Sequence, residues 1–235
     1  MPAQEALIKK YQLQPVPENV QRLAQLMQGG FEKNADEIAL LIKADERLAA
    51  RCCTLAAGSR KRDVPIEIDQ AIVRLGVGSI TLIVMGELLL NAMTRTFATM
   101  AGAVVELKDG LPELANQFVG FTEISGKANG RVYLRMPSNS AKWLVANLVG
   151  DEAAEDADVF MTEAVGELLN MVGGNFKSNL SDAGLESILG VPNVTVMDSF
   201  QPEMADDQVG HTLSFTVDGV PVFINLVIKP VIQPK

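Results

Sequence analysis

The chain has 235 residues, of which 48% are hydrophobic, and a formal net charge of −9. This length suits one large domain or a domain with an appendage, and the apolar content is enough for a sizeable core. No segment is strongly basic, so the composition argues against nucleic acid as a partner.

Histidine and cysteine are scarce. His211 is the only histidine, and the only cysteines, Cys52 and Cys53, are adjacent. Ser-His-Asp and Cys-His catalysis and histidine-ligated metals are therefore excluded, and we expect no metal site and no cofactor held by the chain itself. Neighbouring cysteines rarely pair with each other, and the N-terminus lacks a signal-peptide pattern, which together predict a cytoplasmic protein. The most apolar run, 80–93, is too short to span a bilayer, so no membrane partner is expected.

The first part of the chain is predicted to be helical. Pro17 precedes a helix that ends at Gly29-Gly30, Asn34 precedes a second, and Asp45 caps a third that ends near Ala57. A fourth helix is predicted over 66–75. These segments contain no arrangement of catalytic residues.

Several of these stretches resemble the start of an HDOD domain, a helical signalling module related to HD-type phosphohydrolases but without their metal site. The stretches are Pro15-Val16-Pro17-Glu18-Asn19-Val20, 38–45, Leu48-Ala49-Ala50-Arg51 and 71–76. A full module is far longer. The resemblance therefore implies a truncated regulatory or docking segment over 1–79, followed by a second domain over 80–235.

The second domain alternates helices and strands. A long helix is predicted over 78–100, and later helices over 137–149 and 158–181. Strands are predicted over 104–107, 117–124, 131–136, 193–199, 211–217 and 220–228. Asp218-Gly219 is a strong signal for a two-residue hairpin turn. Hairpins without βαβ crossovers predict an α+β fold with an antiparallel sheet.

A weak internal similarity links two of the long helices. Gly86-Glu87-Leu88-Leu89-Leu90-Asn91 precedes strands, as Gly166-Glu167-Leu168-Leu169-Asn170 does. Two helix-then-strands units predict a duplicated fold. Chance similarity between two leucine-rich helices is the alternative, because Glu87 and Asn91 are four residues apart, whereas Glu167 and Asn170 are three apart.

The helix predicted over 158–181 has two contrasting faces. At about 100° per residue its apolar residues gather on one side, and a polar stripe occupies an arc of about 100° on the other. The stripe contains Glu163, Glu167, Asn170, Gly174, Lys177 and Ser178. A solvated face of an ordinary amphipathic helix is the simplest interpretation. It does not explain Gly166, Gly173 and Gly174, because each glycine costs a helix interior about 1 kcal/mol relative to alanine.

Glu167 and Asn170 lie one helical turn apart on this stripe. The carboxylate is able to pair with a cation, and the carboxamide both donates and accepts hydrogen bonds, so it is able to orient a water molecule. Neither group is a strong base. Such a pair suits phosphoryl hydrolysis in which a partner supplies the electrophile and the metal.

The wider motif closely resembles the CheX/CheC/FliY family of chemotaxis phosphatases, and CheX most of all. It comprises Glu167-x-x-Asn170, Gly173-Gly174-Asn175, Lys177-Ser178 and a strand after Gly190-Val191-Pro192. The similarity extends from about residue 85 to 229 and includes Thr99-Met100-Ala101-Gly102.

The resemblance implies a bacterial protein aspartyl-phosphate phosphatase that acts on a phosphorylated CheY-type response regulator, with Mg²⁺ on that partner. It implies that Asn170 orients the attacking water and that Glu167 pairs with the regulator's lysine. Gly173 and Gly174 would allow close approach, and Lys177 would contact the partner. Family members often have Asp or Ser where this chain has Glu163. A homodimer built through the sheet is also implied.

Two other interpretations remain open from the sequence. The same face could bind a response regulator or another signalling protein without catalysis, as an adaptor. Alternatively, the stripe is only a solvated face or a subunit contact, with the glycines serving helix packing. Exposure of Glu167 and Asn170 would favour a docking role, whereas burial of Asn170 would favour the structural alternative.

Overall fold

The computed structural model describes residues 15–57, 66–108, 115–149 and 157–230. Its helices are α1 Glu18–Gln28, α2 Ala35–Ala44, α3 Glu46–Ala57, α4 Ile68–Met100, α5 Ser138–Val149 and α6 Ala157–Asp182, with a 3₁₀ turn at Glu32–Asn34. Its strands are β1 Val105–Lys108, β2 Gln117–Gly126, β3 Asn129–Pro137, β4 Ser187–Leu189, β5 Asn193–Met197, β6 Val209–Val217 and β7 Val220–Lys229. The acidic stretch 151–156, which separates the helices predicted over 137–149 and 158–181, lies outside the described residues.

The strands form one antiparallel sheet in the order β1-β6-β7-β3-β2-β4, and β5 also pairs with β2. The pairing has an internal two-fold pattern. β2 pairs with β3 as β6 pairs with β7, β1 adds to β6 as β5 adds to β2, and β3 pairs with β7 at the centre. The predicted α+β fold with two helix-then-strands units is therefore confirmed, with α4 and α6 as the corresponding helices.

Helices α4 and α6 pack side by side on one face of this sheet. Buried side chains of both helices join those of the inner sheet face in a single core, to which the N-terminal helices α1–α3 also contribute. The opposite sheet face carries a smaller cluster in which Phe200 covers Tyr133, at a ring-centroid distance of 5.0 Å. The candidate helix α6 is thus held by the core along most of its length.

Local signals set several boundaries of these elements. Asp45 accepts hydrogen bonds from the backbone N–H groups of Arg47 and Leu48, both at 3.0 Å, and so caps α3 as predicted. Asp218 and Gly219 have φ values of 47° and 87°, the left-handed pair that a two-residue hairpin requires. Strand β4 was not predicted, because three residues are too few to show an alternating pattern.

Helix α4 joins the two predicted parts of the chain. Gly76 has φ 67° and ψ 178°, which breaks the helical geometry and divides α4 into the two predicted helices. The predicted domain boundary at 79/80 falls in α4 shortly after this kink. Helices α1, α2 and α3 pack against α4.

Helix α4 is long and apolar enough to cross a bilayer by length and composition alone, with a most apolar window of mean hydropathy 1.8. This is weak evidence, because 61% of that window is buried inside the protein. A core helix of a soluble fold meets the same criterion.

Candidate functional site

The two faces of α6 are arranged as the periodicity predicts. The apolar face, which includes Val165, Leu168 and Leu169, is fully buried against the sheet and α4. The stripe residues on the opposite face are exposed: Glu163, Glu167, Asn170, Gly174, Lys177 and Ser178. Asn170 is exposed, so the burial that would have favoured the purely structural alternative does not occur.

Glu167 and Asn170 are both available to a partner. In the part of the chain that the structure describes, no hydrogen bond or ion pair engages the side chain of either residue. A carboxylate and a carboxamide one turn apart therefore face solvent with their full hydrogen-bonding capacity. Lys177, two turns beyond Asn170, adds a positive charge at the other end of the stripe.

The three glycines of α6 have different surroundings. A Cβ on Gly166 would lie 3.5 Å from Val194 Cγ2, an ordinary contact with β5. A Cβ on Gly173 would lie 3.1 Å from Leu189 Cδ1, which is tight, and Gly173 is buried. A Cβ on Gly174 would meet no atom of the described residues within 4 Å. Packing inside the chain thus accounts for Gly173 and leaves Gly174 unexplained.

Hydrogen bonds to α4 fix the rotation of α6 about its axis. Asn175 Nδ2 donates to Thr96 Oγ1 at 2.9 Å. Asn179 Nδ2 donates to the carbonyl of Leu88 at 2.8 Å and to Asn91 Oδ1 at 3.2 Å. Because these bonds lie on the side of α6 that faces α4, they hold the stripe on the side that faces solvent. This role of Asn179 was not predicted, because in the sequence it is one more polar residue near the end of the helix.

The similar motif on α4 does not form a second exposed stripe. Glu87 is buried and forms ion pairs with Arg51 and, at 3.0 Å, with Arg47, both from α3. Asn91 accepts the bond from Asn179 described above. Glu87 is therefore not available to a partner in the way that Glu167 is, because α3 covers its carboxylate.

The described N-terminal helices α1–α3 leave the stripe open. The contact recorded between α1 and the end of α6 is a hydrogen bond from Gln28 Nε2 to the carbonyl of Ala183 at 3.4 Å. Ala183 lies beyond the last stripe residue. The described helices of this segment therefore cover α4 rather than the polar face of α6.

The described residues offer little evidence for a metal site or a reactive cysteine. They include no group of three or more His, Cys, Asp or Glu side chains placed to hold a metal ion. Burial raises the pKa of the Cys52 thiol to about 11, so this cysteine stays protonated and unreactive near neutral pH. The exposed carboxylate-amide pair on α6 remains the best candidate for a functional site.

An apolar sheet edge beside the stripe was missed by the sequence analysis. Val191 follows β4 and is 91% exposed, and Val196 on β5 is 51% exposed. Only the tertiary contacts of α6 with β4 and β5 place these valines beside the stripe. In the sequence, Gly190-Val191-Pro192 indicates a turn before a strand, and an apolar residue in such a turn is a weak sign of an exposed contact.

Comparison with known proteins finds one family whose sequence model matches part of the chain. The sequence profile of the chemotaxis phosphatase CheX matches residues 118–216, which run from β2 through α6 into β6. No curated protein sequence matches the chain.

Solved structures with the same fold include several CheX proteins. CheX from Desulfovibrio desulfuricans is 21% identical, with a TM-score of 0.52 over 61% of this chain and 98% of that chain. CheX from Vibrio vulnificus is 19% identical, with a TM-score of 0.54 over 61% and 95%. CheX in a CheX-CheY-BeF3-Mg²⁺ complex from Borrelia burgdorferi is 19% identical, with a TM-score of 0.51 over 62% and 97%.

These structures correspond to about three fifths of this chain and to nearly all of their own length. The remaining two fifths of this chain have no counterpart in them. The predicted similarity of the N-terminal segment to part of an HDOD domain is not addressed by these comparisons and stays a prediction.

Proposed function

We propose that this chain, in which residues 118–216 match the sequence profile of the chemotaxis phosphatase CheX, dephosphorylates a phosphorylated CheY-type response regulator. The observation that carries the proposal is the exposed pair Glu167 and Asn170, one turn apart and without partners among the described residues. The complex of the Borrelia burgdorferi CheX with CheY supports the choice of partner.

In the proposed mechanism, the stripe of α6 enters the active site of the regulator. The Asn170 carboxamide accepts a hydrogen bond from a water molecule and holds its oxygen in line with the phosphorus of the phospho-aspartate. The water attacks the phosphorus, the bond to the aspartyl oxygen breaks, and inorganic phosphate leaves while the aspartate is restored. The regulator supplies the phosphoryl group, and its Mg²⁺ neutralises the charge on the phosphoryl oxygens.

Glu167 has a docking role in this proposal. Its carboxylate pairs with a lysine of the regulator, and the pair fixes the position of Asn170 relative to the phosphoryl group. Glu163 and Lys177, one turn before Glu167 and two turns after Asn170, extend the contact to both ends of the stripe. Gly174 leaves space on the stripe for close approach of the partner's backbone.

The proposal includes several further expectations. The protein acts in the cytoplasm, and Mg²⁺ is held by the regulator and not by this chain. It is a homodimer whose copies meet through their sheets. The segment over 1–79 is a regulatory or docking element, and its described helices are fixed to α4 away from the stripe, which supports a role outside the catalytic contact.

The test is the lifetime of the phosphoryl group on candidate regulators of the host, measured with Mg²⁺ and with or without this protein. We expect a shorter lifetime with the wild-type chain and a loss of at least about 100-fold in the stimulated rate for Asn170→Ala. Asp182→Ala is the matched control, because Asp182 is exposed on the same helix and about 18 Å further along it.

Three outcomes separate the alternatives. An unchanged phosphate lifetime with every regulator refutes the phosphatase activity. Binding of a regulator without any change in that lifetime would identify an adaptor. Equal rates for Asn170→Ala and the wild type would remove Asn170 from the mechanism even if the activity itself is present.

A further inference from the structure

An apolar edge runs beside the polar stripe of α6. Gly166 faces Val194 on β5, and Gly173 faces Leu189 on β4. Since β4 and β5 run opposite to α6 at these contacts, the turn between Leu189 and Val194 passes the middle of the helix. Interpolation between these two contacts places Val191 about level with Asn170 along the helix axis.

The turn that carries Val191 is held firmly in place. Thr122 Oγ1 donates to the carbonyl of Gly190 at 2.8 Å, and the backbone N–H of Gly190 donates to the carbonyl of Glu123 at 2.9 Å. Pro192 further restricts the backbone of Val191 to extended conformations. A turn whose backbone is fixed in this way loses little conformational entropy when a partner covers it.

Two of the valines at this edge are exposed. Val191 is 91% exposed and Val196 is 51% exposed. Val196 pairs in register with Phe118, whose side chain is buried on the helix-bearing face of the sheet, so Val196 points to the side on which α6 lies. Together Val191, Val194 and Val196, which we call the valine edge, lie along one border of the stripe.

Building on the proposed phosphatase function, we propose that the valine edge is the apolar half of the surface that receives the response regulator. Val191 is its principal affinity determinant. The polar stripe orients the chemistry, whereas the valine edge supplies the desolvated apolar contact that a specific interface needs at its centre. The regulator must then present an apolar patch beside its phosphorylated aspartate.

The position of Gly174 favours a partner protein over a solvated surface. Gly174 is exposed, and no described atom lies within 4 Å of the position that a Cβ would occupy, so packing among the described residues does not require a glycine here. It lies one turn beyond Asn170 on the stripe. Gly174 exposes bare backbone on one side of Asn170, and Val191 presents an apolar side chain beside it on the sheet edge. Together they form one continuous contact surface.

The experiment separates binding from turnover. The wild type, Val191→Asp and Val191→Ser are titrated with a regulator activated by beryllofluoride and Mg²⁺, which binds but does not turn over, and are then assayed with the phosphorylated regulator. We expect Kd and KM of Val191→Asp to rise by about tenfold or more, with kcat within about twofold, because a carboxylate would be buried without a partner. Val191→Ser should show a smaller rise.

Val73→Asp is the matched control, since Val73 is 83% exposed on the first part of α4 and has no place in the proposed contact. Wild-type Kd and KM for Val191→Asp would overturn the inference while leaving the phosphatase proposal intact. Weaker binding by Val191→Asp, with no dephosphorylation by the wild type, would support the docking surface and refute the catalysis. If Val191→Asp changes the oligomeric state but not Kd, the edge is a contact between copies, and the inference fails.

Discussion

The carboxylate of Glu87 on α4 lies 3.0 Å from the guanidinium group of Arg47 on α3, in a position where the glutamate side chain is almost fully buried. Arg51, one turn further along α3, pairs with the other carboxylate oxygen. The carboxylate that corresponds to Glu167 in the duplicated fold is therefore neutralised inside the chain. This ion-pair cluster fastens the N-terminal helix α3 to α4.

Replacement of Glu87 should loosen this attachment. Glu87→Gln leaves the largely buried Arg51 without a counter-charge and also removes the ion pair with the half-exposed Arg47, so we expect a loss of at least about 2 kcal/mol in the free energy of unfolding. Urea unfolding monitored by the single Trp143 measures it. Glu37→Gln is the control, because its ion pair with Arg22 is exposed and should contribute less than about 1 kcal/mol. Equal stability of the two variants would contradict a fastening role for Glu87.

Gly174→Ala should separate folding from function. The added methyl group meets no described atom within 4 Å, and alanine favours the helix, so the free energy of unfolding should rise by about 0.5–1 kcal/mol. Under the proposed docking the same methyl group obstructs the regulator, and KM should rise. Gly173→Ala is the comparison, since its methyl group forces Leu189 to move and should stabilise less. A stabilised Gly174→Ala variant with unchanged KM would remove Gly174 from the contact.

Asn179→Ala should weaken the contact between α4 and α6. The change removes the bonds to the Leu88 carbonyl and to Asn91, which are buried or partly buried, at a cost of about 1–3 kcal/mol. Ser181→Ala, at an exposed position on the same helix, should change stability by less than about 0.5 kcal/mol. Thermal unfolding of both variants measures the difference, and equal melting temperatures would show that the bonds add nothing.

The cap of α3 predicts a pH dependence. Burial raises the pKa of the Asp45 carboxyl, but hydrogen bonds from the Leu48 N–H and from Asn19, with the nearby charge of Arg47, outweigh it and hold the pKa below its ordinary value of 3.8. The folded state thus favours the ionised form. Its stabilising contribution is present above the unfolded pKa and is lost as the pH falls through the lower folded pKa.

Asp45→Asn tests this dependence, because asparagine also caps helices but does not titrate. We expect the variant to lose little stability near neutral pH, apart from the bond that Asp45 accepts from Asn19 at 2.6 Å. The difference in unfolding free energy between the variant and the wild type should shrink as the pH falls below the ordinary carboxyl range. A difference that stays constant with pH would exclude Asp45 as the titrating group.

Local patterns were sufficient for much of this protein. The 3.6-residue period of α6 predicted which of its side chains face solvent, since a helix turns by a fixed angle per residue. Asp218-Gly219 predicted the hairpin between β6 and β7, because few residue pairs adopt its left-handed backbone. These features depend on neighbours in the chain and need no knowledge of distant contacts.

Tertiary structure decided the features that depend on distant contacts. Glu87 and Glu167 both follow a glycine in similar helices, yet only the arginines of α3 make Glu87 a buried ion pair. Gly173 and Gly174 are adjacent in sequence, and only the packing of Leu189 distinguishes a packing glycine from an open one. Val191 lies beside the stripe because β4, which is too short to predict from the sequence, pairs with β2 and so positions the turn next to α6. The sequence by itself thus determined the elements and the stripe, whereas long-range packing and electrostatics decided which carboxylate stays free to meet a partner.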